Sequence, residues 1–487
     1  MRWVLVLVLV SAFFSPSFCS DVIVESLREL LNENSDPCDD FYRHVCPLGT
    51  SYDLIGAIMN ETVFQDRIQF EVYSDSKKFP FNTSLDTISQ LYIELCEEGK
   101  NTNYFLSELS NLLNTPLTYL AKDTNCQNVG AHLDDLLKSY YREDILEIAA
   151  PFKSATKKFV YAINVISLHL DNKVEDAIIE LNELLEKFKD VIAKKIPETP
   201  WVQNHNITDF VLETVNMTVL SRDYGNALKY SFETLMKYEL AYRSCKQRFE
   251  NRENAELFCF VLTSASYEGE TLKSFGFFDY GNAFNGFPNL KFGYPFYYMA
   301  KNVEEMAAKL GALGQVIGHE LSHSLIKGEH DFVQTYFSPE AVDCIQNQFN
   351  STCNVFMEDS CEVSVVQLDE NGSDILGIQI AYSVLEKFYG NHLYHIYEPL
   401  NVTYQQLFFY SASLFFCHGV PGRSFYQMDG SLDGHSAANV RINVMANHPA
   451  FKEAFQCSDD SRMVKSATSQ CNIFGENAPL NKHRRQY

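Results

Sequence analysis

Val316-Ile317-Gly318-His319-Glu320-Leu321-Ser322-His323 decides the reading of this chain. The stretch from Glu304 to Leu325 has no proline, and Met306, Leu310, Leu313, Ile317 and Leu321 recur in it at helical spacing. Side chains four apart on a helix lie one above the other, so His319 and His323 face the same way and can share one Zn²⁺. Glu320 is displaced round the helix, near enough to reach a water at the metal without binding the ion itself. The same three fixed positions also arise on helices that merely carry two surface histidines. A third ligand separates the two readings, and Asp369-Glu370-Asn371-Gly372-Ser373-Asp374 offers one. Glu370 and Asp374 are again four apart. One carboxylate can bind the ion, and the other can accept the spare ring N–H of a ligating histidine and fix its tautomer.

With both halves in place, the chain resembles the neprilysin and endothelin-converting-enzyme family of zinc endopeptidases. The family pattern is V-I-G-H-E-x-x-H followed by E-N-x-x-D. Three further segments extend the resemblance. Asn282-Ala283-Phe284 looks like the family's N-A-F/Y segment, Asp433-Gly434-His435-Ser436 with Arg441 looks like its D-x-H-S…R segment, and Asp36-Pro37-Cys38-Asp39-Asp40-Phe41-Tyr42 with Cys46 looks like its entry motif. The likeness is dense from about Phe275 to Phe474 and patchy before that.

The resemblance implies a mainly α fold with a small β-sheet, two-lobed, with a thermolysin-like zinc catalytic domain at residues 251–474 and a truncated helical lobe at 56–250. Residues 21–55 are then an entry segment that packs on the catalytic domain. One zinc per chain is implied, held by His319, His323 and Glu370, with Glu320 as general base and Asp374 orienting a ligand histidine. His435, its ring held by Asp433 or another carboxylate, is implied to stabilise the oxyanion. Asn282 and Ala283 would bind peptide backbone. Arg441 would hold the carbonyl after the cleaved bond, and Val316 and Phe416 would line the pocket for that residue, favouring large apolar side chains. Each has a plainer reading: an ordinary strand at Asn282 to Phe284, a surface loop histidine, a structural ion pair, two core side chains. The implied disulfides are Cys38–Cys457, Cys46–Cys417, Cys96–Cys245 and Cys344–Cys471, with Cys126–Cys259 and Cys353–Cys361 as guesses for the remainder.

Composition fits an exported globular protein. The 487 residues carry a net charge of −24, which argues against nucleic acid or an anionic membrane surface as partner; peptide substrates are expected instead. Met1 to Ser20 reads as a secretory signal with Arg2 at its start, and the alternative is a signal anchor facing outward. Of 13 cysteines, Cys19 would leave with that leader, and the even remainder suits an oxidising compartment. Sequons at Asn60, Asn82, Asn206, Asn216, Asn350 and Asn401 are expected to carry glycans. A glycan on the sequon at Asn371 would obstruct the cleft.

The chain also departs from the family pattern. Gly372 and Ser373 stand at apolar and alanine positions of the ligand helix, Leu376 stands at a usual glycine, and Phe474 replaces a tryptophan. Glycine inside a helix costs about 1 kcal/mol relative to alanine, so a looser ligand helix is expected. The short helical lobe suggests a more open cleft. These departures leave a second reading, a catalytically silent homologue that binds peptides or a protein partner. Along the rest of the chain, helices are expected at Val22 to Asn34, Val174 to Lys195, Thr208 to Leu220, from Pro339 to Phe349, and at Asp374 to Phe388. Trp201, near Pro197 and Pro200, reads as loop, Tyr404 to Phe416 as buried core, and residues 475–487 as a disordered tail.

Overall fold

The computed structural model describes residues 21–46, 52–55, 57–58, 173–205, 207–221, 240–252, 255–256, 258–259, 263, 282–326, 337, 339–356, 367–417, 435–467, 471 and 473–475. The leader, most of the helical lobe with Cys96 and Cys126, the sequons Asn60, Asn82 and Asn206, Cys361, Asp433 and the tail from 476 lie outside them. By contact the chain falls into two units: 1–58 with 176–221 and 281–487, and 59–175 with 222–280.

The described residues are mostly helical, with two small sheets. In chain order they form α1 (Val22–Leu30), α2 (Phe41–Val45), α3 (Lys173–Lys195), α4 (Pro200–His205), α5 (Thr208–Met217), β1 (Val219–Leu220), β2 (Ala283–Gly286), β3 (Asn289–Phe292), α6 (Tyr294–Asn302), α7 (Met306–Lys309), α8 (Gln315–Ile326), α9 (Pro339–Phe356), α10 (Leu368–Tyr389), β4 (Ile396–Tyr397), β5 (Val402–Thr403), α11 (Tyr404–Leu414), α12 (Ala438–Asn443), α13 (Pro449–Ala454) and α14 (Arg462–Ser466). A π turn, Leu310–Gly314, joins α7 to α8.

The centre of the first unit is α10 laid against α8. From Asn371 to Leu385 every residue of α10 is buried, as suits a helix enclosed on all sides. The two helices approach backbone to backbone through a glycine pair. A Cβ on Gly318 would lie 2.5 Å from the Gly377 carbonyl oxygen, and one on Gly377 would lie 2.6 Å from the His319 nitrogen. Gly311, in the π turn, meets α11 in the same manner: a Cβ there would collide with the Phe408 carbonyl oxygen. The contact with α8 is thus made by Gly377, the position after Leu376.

The ligand helix begins at Leu368, six residues before the expected Asp374, so Glu370 lies on it. Gly372 and Ser373 are weak helix formers, but both are buried and tertiary packing overrides propensity there. Trp201 is a correction. It lies on α4, fully buried, and its Nε1 donates to the Ile473 carbonyl at 2.8 Å. Pro200 opens that helix, where its missing N–H costs nothing. The helix expected to Leu220 ends at Met217, and Val219–Leu220 becomes a strand.

The sheet order is β1-β3-β2, with β1 parallel and β2 antiparallel to β3. Among the described residues β2 is an edge of this sheet; Ala283 is buried and Phe284 is 51% exposed.

The entry segment packs on the end of the chain. Asp40 caps α2, the Tyr42 N–H donates to Asn443 Oδ1 at 2.9 Å, and Asn443 Nδ2 returns a bond to Asp40 at 3.0 Å. Phe41 sits 4.9 Å from Phe451 and 5.0 Å from Phe455, ring centre to ring centre. Disulfides Cys38–Cys457, Cys46–Cys417 and Cys344–Cys471 close as the resemblance implies. Cys245 does not pair with Cys96: it bonds Cys259, only 14 residues away, which also removes the guessed Cys126–Cys259 pair. The Cα atoms of Cys245 and Cys259 lie 5.6 Å apart, within the reach of a disulfide. Opening the Cys38–Cys457 loop, by changing both cysteines to serine, is expected to lower stability by about 2–5 kcal/mol. Urea unfolding of the two forms measures it.

Candidate metal centre

α8 and α10 each present side chains four apart to the other. His319 and His323 lie on the buried face of α8, 8% and 7% exposed. Opposite them α10 carries two adjacent rows. The row Glu370–Asp374 faces His319: Glu370 Oε2 is 3.1 Å from His319 Nε2, and Asp374 Oδ1 is 3.0 Å from His319 Nδ1. The row Asp369–Ser373 faces His323: Asp369 Oδ1 and Ser373 Oγ lie 3.1 and 3.2 Å from His323 Nδ1. Each imidazole therefore meets a carboxylate on its δ side, so that a ring in its neutral form keeps its proton there and turns Nε2 toward a metal.

The two Nε2 atoms are 3.1 Å apart, and Glu370 Oε2 stands 3.5 Å from His323 Nε2. Three potential ligand atoms thus meet at 3.1, 3.1 and 3.5 Å. A tetrahedral zinc with bonds of about 2.0–2.2 Å holds its donors roughly 3.3–3.6 Å apart, so this donor set fits that ion. Electrostatics agree. Burial alone would raise the Glu370 carboxyl, but His319, His323 and His435 hold it far below the usual carboxylate range. Burial alone would lower His323, yet Asp369 and Glu370 push it up to about 10. Both shifts favour positive charge at the point where these side chains meet.

Asp374 is tied from behind. Burial opposes its charge, but the Arg441 guanidinium and His319 hold it down to about 2. Arg441 forks onto it, Nε to Oδ2 at 2.7 Å and Nη2 to Oδ1 at 2.6 Å. The same guanidinium lies 4.3 Å over the Phe416 ring. Val316 and Phe416 are both buried.

Glu320 is 7% exposed, and a carboxylate oxygen of it lies within 4.8 Å of a ring nitrogen of each histidine. His435 Nε2 sits 3.0 Å from Glu370 Oε2. Its segment is pinned to α10: Gln367 Nε2 donates to the His435 carbonyl at 3.2 Å, and Ser436 Oγ to Asn371 Oδ1 at 2.8 Å. On β2, Asn282 is exposed just before the strand and Ala283 is buried in it.

Sequence reading missed Asp369, Ser373, Gln367 and Asn371 as supports. The signal for the first two was present: Asp369 and Ser373 are four apart, like Glu370 and Asp374. Asn371 is only 1% exposed and bonded, so a glycan cannot occupy it in this fold. Among the other sequons, Asn216 and Asn401 are exposed and Asn350 is half-buried. Peptide mapping of protein from a glycosylating host is expected to find Asn371 unmodified.

The profile of peptidase family M13 matches residues 284–471. Neprilysin-3 of Drosophila melanogaster is 26% identical over 180 residues, which is 34% of this chain and 22% of that protein. Neprilysin-1 of Trittame loki is 22% identical over 361 residues, 70% of this chain and 45% of that one. Neprilysin-1 of Caenorhabditis elegans is 28% identical over 184 residues, 34% of this chain and 24% of the relative. The chain thus spans less than half the length of these curated relatives. Among solved structures, the Mycobacterium tuberculosis zinc metalloprotease Zmp1 aligns with a TM-score of 0.39 at 15% identity, over 59% of this chain and 46% of that one. The Haemonchus galactose containing glycoprotein complex aligns at 0.49 and 12% identity, over 93% and 98%.

Proposed function

This chain belongs to the neprilysin-type peptidase family M13, and from that premise we propose that it is a secreted zinc-dependent endopeptidase that cuts peptides on the amino side of large apolar residues. The observation that carries the reading is the meeting of His319 Nε2, His323 Nε2 and Glu370 Oε2 from two helices, with the Glu320 carboxylate beside them.

Those three atoms would hold one zinc and leave a fourth position open to water. Bound there, zinc supplies a Lewis acid that brings a water's pKa toward 7 and polarises the peptide carbonyl. Glu320 takes the proton from the attacking water and returns it to the leaving amine. His435 donates a hydrogen bond to the oxyanion that forms on the carbonyl, Asp433 being the carboxylate proposed to hold its ring. Asp374 keeps His319 in its Nδ1–H tautomer. Arg441, fixed by Asp374, would hold the substrate carbonyl after the cut. Val316 and Phe416 would meet the side chain of that residue. Asn282 and Ala283 would pair with the peptide backbone at the β2 edge, as an added strand.

Export is supported by the leader-like Met1 to Ser20 and by disulfides, which persist in oxidising compartments. Among the described residues no helix is long and apolar enough to cross a membrane. The test uses the purified full chain. Metal analysis is expected to give one zinc, and a quenched fluorescent peptide is expected to be cut so that the new N-terminus is Phe or Leu. Folded, disulfide-bonded protein that takes up no zinc or cuts no peptide would establish a silent homologue instead.

A further inference from the structure

We propose that Asn285 is a positioning residue that fixes the peptide-pairing edge of β2 against the turn of α8 that carries Glu320. The proposal rests on the peptidase reading above. Asn285 and Ala283 lie two apart on β2 and so share one face of the strand, while Phe284 points the other way. From that face, Asn285 Nδ2 donates to the Glu320 carbonyl and to Ser324 Oγ, the latter at 2.6 Å. Its Oδ1 accepts the Phe287 N–H at 3.0 Å, which also fixes the turn into β3. One amide thus joins three places: the edge strand, its hairpin turn and the metal helix. β2 is paired on one side by β3, and among the described residues its other side has no strand partner. A peptide added there is located by β2, whereas the base that activates water is located by α8. The amide of Asn285 sets the offset between the two. A misplacement of about 1 Å at a reacting bond can cost about 10²-fold in rate.

Asn285→Asp weakens the strap and keeps the turn: an aspartate oxygen still accepts the Phe287 N–H, the bond donated to the Glu320 carbonyl is lost, and of the two links to α8 only Ser324, by turning its O–H round, can still meet the carboxylate. Ser324→Ala removes one of the two bonds and leaves the strand sequence untouched, so it serves if the first variant folds poorly. With a decapeptide substrate, Asn285→Asp is expected to lower kcat by about 10–100-fold and Ser324→Ala by about 3–10-fold. Cleavage one residue away from the normal site should appear in the mass spectrum of the products, while zinc affinity stays within about twofold. Unchanged kcat and cleavage position in both variants, with the unmodified protein active, would overturn the proposal and leave the peptidase reading standing. So would a loss of kcat that only follows loss of zinc. An unmodified protein that cuts no peptide removes both.

Discussion

Glu320→Gln is expected to lower kcat by about 10²–10⁴-fold while the protein still binds one zinc per chain. Glutamine keeps the size of the side chain, and the side chain is buried beside the two imidazoles, so packing changes little. What is lost is the capacity to accept a proton from water and pass it on. That capacity is used only on the way to the transition state, so kcat and kcat/KM should fall together with KM nearly constant. Stopped assays on the same peptide, with zinc measured on the same samples, check this. Turnover equal to that of the unmodified protein would move the base to another residue, and residual activity that survives a chelator would indicate a contaminating peptidase.

Gly318→Ala is expected to impair metal binding more than any change outside the ligands. The added Cβ would sit 2.5 Å from a backbone oxygen and 3.0 Å from the Cα of Gly377, atoms that cannot rotate away. α8 and α10 must separate, by several tenths of an ångström or more, to relieve the clash. His319 follows Gly318 directly and Glu370 lies on the opposing helix, so the separation falls on the gap between zinc donors. Overpacking of this kind costs about 1–3 kcal/mol in stability. Zinc affinity should drop by about 10–100-fold, the range seen when supports of metal ligands are disturbed. Competition with a chromophoric chelator measures the affinity, and urea titration of the metal-free form measures the stability. Affinity within twofold of the original would show that the helices are held apart by other contacts.

The candidate donor cluster was legible in the sequence because its parts are short-range. His319 with His323, and Glu370 with Asp374, are each four apart, and helix periodicity turns that spacing into a shared face. The start of α10 was not legible: Gly372 and Ser373 argue against helix locally, and only burial against α8 outweighs them. Asn285 drew no notice in the sequence because its partners, Glu320 and Ser324, lie 35 and 39 residues on. The Cys245–Cys259 bond shows the opposite failure, where a likeness to longer relatives suggested a distant partner and the structure uses a near one. Trp201 was misplaced because proline was taken as a breaker, although at a first turn it starts a helix.

The bridges from Cys38 and Cys46 impose an order on how the protein is made. Their partners are 419 and 371 residues later in the chain. At a synthesis rate of about 5–20 residues per second, the first thiols emerge roughly 20–80 s before the sulfurs they must meet. Under the export proposed above, both would be free nucleophiles in an oxidising lumen during that interval, open to capture by cysteines that emerge before their partners. The nascent chain is then expected to need an isomerase to return them, and yield in a host should follow the supply of that helper more closely than it follows temperature.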